Sequence, residues 1–233
     1  MKHFSNRYIF IFSTVMVVIV AALLSLAATL LQPAQERNLE IEKKRSMLES
    51  IHIPATKADA VELYDKYISE SFVLNSKGES VEGVDAFTVV LKNEQKKPLE
   101  EQYFPVFSAT PDDGEKVIIL PVEGKGLWGP IWGYVSLRSD LNTIYGVTFD
   151  HKGETPGLGA EINTTSFESM FNNKKLFENG AFVSIQVHKG GADPSDIHGV
   201  DAISGGTITS KGLEKMLLDC LKKYNDYLLK NRI

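Results

Sequence analysis

The feature that most constrains this chain is an uncharged apolar run near its N-terminus. Residues 8–31 contain 24 positions without an acidic or basic side chain. At about 1.5 Å per residue, a helix of this length crosses the roughly 30 Å hydrocarbon core of a membrane with some tilt. A cleaved signal peptide is the alternative, but its apolar region is only about 7–15 residues long. The run therefore predicts an uncleaved membrane anchor.

The charges that flank this run do not fix its orientation. Lys2 and Arg7 precede it, whereas four basic residues follow it between positions 37 and 45. The count of basic residues on each side is therefore ambiguous, but a long downstream domain crosses the membrane largely regardless of such charges. We expect residues 1–7 to lie in the cytoplasm, residues 8–31 to span the membrane and the rest to lie outside.

Composition excludes several classes of protein. The chain of 233 residues is 43% hydrophobic and 24% charged, which is typical of a folded protein. Its formal net charge of -5 argues against nucleic acid as a partner. Cys220 is the one cysteine in the sequence, so the chain has no intramolecular disulfide and no cysteine-based metal site. The five histidines lack the spacing of metal ligands, and we expect no metal site.

The remaining sequence predicts one folded domain. Residues 32–57 read as a juxtamembrane linker or helix, and residues 58–233 as a single α+β domain large enough to bury its own core. Apolar residues at helical spacing predict helices at 58–68, 167–177 and 210–230. Short β-rich runs predict strands at 71–74, 117–121, 131–137, 143–149 and 181–187. Residues 75–116 are polar and turn-rich, and we assign no element to them.

One short segment just ahead of the C-terminal helix is unusually rich in hydroxyls. Residues 204–210 read SGGTITS, with two glycines and four hydroxyl side chains. Such a segment suits a phosphate, since glycine admits close approach and a helix N-terminus offers free N–H groups. It lacks the spacing of a Walker A loop. Taken alone, it is better explained as a helix cap, because Ser and Thr are common capping residues.

Two further glycine-rich segments precede it. Residues 153–161 read GETPGLGAE, and residues 124–133 read GKGLWGPIWG with Trp128 and Trp132 among four glycines. The first predicts either a surface turn or a loop whose backbone and polar side chains hold a ligand. The second predicts either a tightly packed strand bend or a slot for a planar ligand.

Together these three segments, in this order and behind one membrane anchor, resemble a known family. SGGTITS resembles the flavinylation motif of FMN-binding domain proteins, and the other two segments resemble further signatures of that domain. The resemblance covers nearly the whole chain and is strongest to the C-type subunits of Na⁺-translocating NADH:quinone oxidoreductases. The G-type subunits of Rnf electron transport complexes are the near alternative. Gly206 departs from the pattern, which more often has Ala at this position.

The resemblance implies a covalent cofactor. A flavin transferase that uses FAD as donor would join FMN to Thr209 through a phosphoester bond, with Thr207 as the alternative attachment point. The transferase would activate the hydroxyl, so the chain needs no catalytic residue of its own. The implied cofactor-binding residues are Ser204, Gly205, Gly206, Thr207, Glu154, Thr155, Gly157, Leu158, Gly159, Leu127 and Trp128.

The resemblance also implies a fold and a function. The fold would be a single α+β FMN-binding domain with mixed strands and flanking helices, preceded by one transmembrane helix. The chain would sit in the bacterial inner membrane with its domain in the periplasm. With the other subunits, it would relay electrons from NADH to quinone while sodium is exported. The alternatives are an Rnf-type subunit, a cofactor-free anchored binding or scaffold module, and an anchored flavin reductase.

Overall fold

The computed structural model describes residues 5–232, so residues 1–4 of the predicted cytoplasmic segment lie outside the described residues. The chain begins with α1, Asn6–Glu49, which continues through Pro33 without a break. Its apolar part is long and apolar enough to cross a membrane, and none of that part is buried within the chain. These properties agree with the predicted anchor.

A separate compact unit begins at Lys44 and contains a six-stranded antiparallel sheet. The order of its strands across the sheet is β2-β1-β3-β4-β5-β6. Their bounds are β1 Ile68–Leu74, β2 Ser80–Val81, β3 Phe104–Ala109, β4 Val117–Lys125, β5 Pro130–Leu137 and β6 Ile144–His151. Two small pairs follow, antiparallel β7 Phe177–Glu178 with β8 Ala181–Phe182, and parallel β9 Gln186–His188 with β10 Gly199–Asp201.

Helices cover both faces of the sheet. The α-helices of this unit are α2 Ala60–Tyr67, α3 Leu91–Glu94, α4 Thr165–Glu168, α5 Thr207–Leu221 and α6 Asn225–Asn231. Short 3-10 turns lie at Ala86–Thr88, Leu99–Glu101, Gly159–Asn163, Ser169–Phe171 and Lys222–Tyr224.

Two hydrophobic cores result from the alternation of side chains along the strands. On one face, Ile118 and Leu120 of β4 belong to a core with Leu213 and Leu217 of α5. On the other face, Ile119 belongs to a second core. That second core also contains Met47, Leu48 and Ile51, so the folded unit takes in part of the predicted juxtamembrane segment.

Several predicted elements differ from the observed ones. The predicted helix at 167–177 is wrong beyond Phe171, because Asn173 adopts a left-handed φ of 64° that ends the helical path. The predicted strand at 181–187 is two short strands, separated where Ser184 has a φ of 62°. The C-terminal helix starts at Thr207 rather than at residue 210, and a 3-10 turn separates α5 from α6.

The sequence interpretation also missed β3. This strand lies between β1 and β4 and all six of its residues are buried. This strand lies within residues 75–116, to which no element was assigned because the segment is polar and turn-rich, and its Pro105 cannot donate to the ladder. Pro105 lies opposite Val73 of β1, and pairing with β4 begins only at Phe107.

Close packing of α5 on β4 fixes the position of the helix. A methyl group at Gly212 would collide with the carbonyl oxygen of Lys125, and one at Gly124 would lie 2.7 Å from Met216 Cβ. Glycine at both positions therefore allows the backbones of helix and strand to approach closely. This contact brings the start of α5 beside the β4–β5 turn and the loop that follows β6.

Candidate functional site

The three glycine-rich segments meet at the N-terminus of α5, and Glu154 joins them. The Oγ1 hydroxyl of Thr209 donates to Glu154 Oε2 at 2.6 Å. The backbone N–H of Trp128 donates to Glu154 Oε1 at 2.8 Å. Glu154 is only 4% exposed. One buried carboxylate therefore connects the β4–β5 turn, the loop after β6 and the first turn of α5.

Two glycines make room for this carboxylate. A methyl group at Gly126 would lie 2.5 Å from Glu154 Oε1, and a methyl group at Gly159 would lie 2.5 Å from Glu154 Oε2. The same group at Gly159 would also overlap the Thr209 hydroxyl. Since these approaches are shorter than side-chain contacts allow, any larger residue at either position must displace the carboxylate. Gly126 and Gly159 therefore leave the space that the Glu154 side chain occupies.

The carboxylate of Glu154 has hydrogen-bond donors but no cation beside it. Among the ion pairs of the described residues, none involves Glu154. Its two donors are a neutral hydroxyl and a neutral amide. Thr209 is the third residue of α5, so the carboxylate that it contacts lies at the positive end of the helix dipole.

The start of α5 exposes backbone donors. Gly206 is the N-cap and no side chain caps the helix, so the capping interpretation of SGGTITS is wrong. Within the described part of the chain, the N–H groups of Thr207, Ile208 and Thr209 have no acceptor. Ser210 is buried and its hydroxyl instead accepts from the N–H of Ile203 at 3.1 Å. Free amides at a helix N-terminus suit a phosphate group.

The two threonines of the segment differ in their surroundings. Thr209 is 2% exposed and its hydroxyl is committed to Glu154. Thr207 is half-buried, and its hydroxyl forms no hydrogen bond with any residue between 5 and 232. Of the two threonines, Thr207 is therefore the one whose hydroxyl is uncommitted and lies on a partly exposed residue.

Exposed apolar side chains lie on the three segments that meet here, and we call them the apolar rim. Leu127 and Trp128 at the β4–β5 turn are 45% and 69% exposed, Leu158 is 41% exposed, and Ile208 is 61% exposed. A methyl group at Gly205 would lie 2.6 Å from Leu158 Cδ2, so Leu158 packs against the backbone ahead of α5. Exposed apolar side chains around free amide donors fit a ligand that combines a flat apolar ring with a phosphate.

The other predicted residues line the loops of this site. Ser204 and Gly205 are exposed directly ahead of α5, and Gly205 has a φ of 73°. Thr155 is exposed, and its carbonyl oxygen accepts from the amides of Leu158 and Ala160 at 3.1 Å. The N–H of Gly157 donates to Glu161 Oε1 at 2.9 Å, which closes the turn.

Sequence reasoning missed two contributors to the site. Ile208 lies between the two threonines, and its exposure at the start of an amphipathic helix is the signal that marks it. Gly126 lay inside a recognised segment, but its role depends on a carboxylate at position 154, far along the chain, and could not be assigned from the sequence.

Comparisons with known proteins agree with this geometry. A family model described as an FMN-binding domain matches residues 126–222. The C-type subunit of the Na(+)-translocating NADH-quinone reductase of Haemophilus ducreyi is 32% identical over 203 residues, covering 81% of this chain and 79% of that protein. The corresponding protein of Vibrio vulnificus is 33% identical, covering 82% of this chain and 81% of its own length.

Solved structures give the same result. The crystal structure of the C-type subunit from Parabacteroides distasonis is 43% identical, with a TM-score of 0.78, and the match covers 85% of this chain and 96% of that one. The crystal structure of Shewanella oneidensis NqrC is 26% identical with a TM-score of 0.69, covering 84% and 98%. The predicted fold and the resemblance inferred from the three segments are confirmed.

Proposed function

Because this chain belongs to the family of the C-type subunits of Na(+)-translocating NADH-quinone reductase, we propose that it carries FMN as a fixed electron relay in that complex. The complex oxidises NADH, reduces quinone and moves sodium across a membrane, so the enzyme activity belongs to the assembly and this chain is one subunit. The relatives and both solved structures are of the C type, which favours this function over the Rnf-type alternative and over a cofactor-free module.

The FMN is held covalently, and Thr207 is our proposed attachment point. The sequence pattern pointed to Thr209, with Thr207 as the alternative. Two observations favour Thr207. Thr209 is 2% exposed, and a phosphoester on its hydroxyl would bring a second negative group against the buried carboxylate of Glu154. The hydroxyl of Thr207 is accessible and lies at the first residue of α5.

The bond forms by transfer of a nucleotide group. The Thr207 oxygen attacks the flavin-side phosphorus of FAD, an O–P bond forms, the phosphoanhydride bond breaks and AMP leaves with its electron pair. The proton of the hydroxyl is released during this step. A hydroxyl is a weak nucleophile, and no basic side chain among the described residues forms a hydrogen bond with the Thr207 hydroxyl. A separate flavin transferase therefore supplies the activation and is a transient partner.

The site residues then hold the cofactor. The free N–H groups of Thr207, Ile208 and Thr209 bind the phosphate, with Ser204 beside them. Gly205 and Gly206 leave the approach to the phosphate open. Because the linkage uses the phosphate, the isoalloxazine ring stays unsubstituted and its electronics depend on its surroundings. The exposed side chains of Leu127, Trp128, Leu158 and Ile208, which form the apolar rim, would pack against the ring.

The N-terminal helix α1 anchors the chain in the bacterial inner membrane with one span. Its apolar part has the required length and hydropathy. The folded unit that begins at Lys44 lies on the periplasmic side, where it contacts other subunits of the complex. A tethered flavin on an anchored domain cannot diffuse away, which suits a relay between neighbouring cofactors.

The observation that carries this proposal is the accessible hydroxyl of Thr207 among free amides, at the meeting point of three glycine-rich segments. The test is the intact mass of the full chain after expression with and without its flavin transferase, followed by mapping of the modified peptide. We expect a gain of one FMN less one water, lost in Thr207→Val and kept in Thr209→Val and Thr207→Ser.

The same experiment separates the alternatives. A flavin lost in Thr209→Val and kept in Thr207→Val would restore the assignment to Thr209 and leave the function unchanged. A wild-type chain that gains no mass, under conditions that flavinylate a control protein, would instead favour the cofactor-free binding module.

A further inference from the structure

The negative charge of Glu154 is not needed to build the site. Both of its partners, the Thr209 hydroxyl and the Trp128 amide, are also satisfied by a neutral amide side chain. The oxygen of a glutamine accepts from the backbone N–H, and its nitrogen donates to the hydroxyl, which accepts as readily as it donates. The burial of a carboxylate without a cation is costly. A charge kept at this cost and not required for the hydrogen bonds points to a further role.

The place of this charge links it to the flavin. The Thr209 hydroxyl that contacts Glu154 is two residues from Thr207 on the first turn of α5. The Trp128 amide that contacts it belongs to the apolar rim. A flavin joined to this turn, with its ring packed on the apolar rim, would therefore lie near Glu154. At about 10 Å and an effective dielectric constant of about 20, two unit charges still repel each other appreciably. The repulsion changes the equilibrium constant for adding one electron to the flavin by roughly tenfold.

We propose that Glu154 is a fixed negative charge that lowers the reduction potential of the flavin. Each electron that passes from a reductant to the flavin adds one negative charge until a proton follows. A buried carboxylate nearby raises the free energy of that added charge, so the oxidised form is favoured. Because Glu154 is 4% exposed, solvent and salt screen this effect less than they screen surface charges. The inference rests on the proposed function, since it requires a flavin at this turn.

The test is a potentiometric titration of the flavin in the full chain. The protein is expressed with its flavin transferase and purified in detergent, and its flavin content is measured by intact mass. The flavin is then titrated with dithionite and redox mediators while its absorbance is followed. Glu154→Gln removes the charge and keeps the shape. Glu154→Leu is a second uncharged variant, in case the amide disturbs folding, since an apolar side chain of similar volume tolerates burial.

Thr209→Val is the matched control, because it breaks one of the same hydrogen bonds but leaves the charge in place. We expect the uncharged variants to favour reduction by about tenfold per electron, or about 59 mV for a one-electron step. Thr209→Val is expected to change the equilibrium constant for one-electron reduction of the flavin by less than about threefold.

Two results would overturn the inference while leaving the proposed function intact. One is a flavin-bearing uncharged variant with the potential of the wild type. The other is a shift in Thr209→Val as large as that in Glu154→Gln, which would assign the effect to local structure rather than to charge. A wild-type chain without flavin is a different outcome, because it overturns the proposed function itself and the inference with it.

Discussion

Gly159, in the 3-10 turn after β6, lies directly against Thr209 in the first turn of α5. A methyl group at position 159 would overlap the Thr209 hydroxyl and approach Glu154 Oε2 to 2.5 Å. The absence of a side chain at one position therefore allows a hydrogen bond between two others that are 55 residues apart. The loop and the helix are held together by this contact, and the site depends on it.

Gly159→Ala is expected to destabilise the folded unit by about 1–3 kcal/mol, because the added methyl group must displace a buried hydroxyl or carboxylate. The measurement is urea unfolding of the detergent-solubilised chain followed by circular dichroism. Gly153→Ala in the same loop is the matched control, since a methyl group there has no neighbour within 4 Å. Equal stabilities of the two variants would contradict the packing described for Gly159.

The two threonines of α5 are expected to separate stability from cofactor attachment. Thr209→Val leaves the buried Glu154 with one donor fewer, which costs about 1–3 kcal/mol of unfolding free energy. Thr207→Val changes a half-buried side chain without a hydrogen bond and is expected to alter stability by less than about 0.5 kcal/mol. By intact mass, only the second variant should lose the flavin. The opposite pattern would exchange the roles of the two residues.

Much of the fold was predictable because it depends on local patterns. Local sequence patterns predict three of its parts: the long helix at residues 8–31, strands β5 and β6, and helix α5. The helix predicted at 167–177 shows the limit of that reasoning. Its apolar spacing is correct, but Asn173 takes a left-handed conformation and the chain turns into β7. Spacing alone carries no information about that turn.

The site was predictable as a set of segments but not as a set of contacts. Glycine-rich runs in a known order indicated which loops meet, and they do meet at the start of α5. The hydrogen bond from Thr209 to Glu154 could not be derived, since it depends on how far α5 approaches β4 at Gly212 and Gly124. For the same reason the sequence could not distinguish a buried threonine from an accessible one two residues away.

Glu168 gives a prediction about pH. Burial raises the pKa of this carboxyl from 4.5 to about 7; hydrogen bonding from the Phe149 amide opposes the shift, and the charges of Glu49 and Asp150 add to it. The folded chain therefore binds more protons than the unfolded chain between these two pH values. The resulting contribution to stability is complete below pH 4.5 and is lost as the pH rises to about 7.

Glu168→Gln removes this titration and keeps an oxygen that accepts from the Phe149 amide. Relative to the wild type, the variant should gain stability steadily between pH 4.5 and about 7 and then level off. Urea unfolding of both proteins across this pH range measures the difference between their unfolding free energies. The contributions of the other titrating groups are common to both proteins and cancel in this difference. The exposed Glu178→Gln serves as control. A difference that does not vary with pH would show that the pKa of Glu168 is the same in the folded and the unfolded chain.

Trp128 offers an optical test of where the flavin ring lies. Its indole is 69% exposed at the β4–β5 turn, and its backbone is fixed by Glu154, whereas Trp132 is half-buried in β5. Since the exposed ring contributes little to the core, Trp128→Phe should change the unfolding free energy by less than about 0.5 kcal/mol.

If the isoalloxazine ring lies against the apolar rim, attachment of FMN should quench the emission of Trp128 more strongly than that of Trp132. The measurement compares the flavinylated chain with Thr207→Val, each with and without Trp128→Phe. Equal fractional quenching in the presence and absence of Trp128 would place the ring away from this rim.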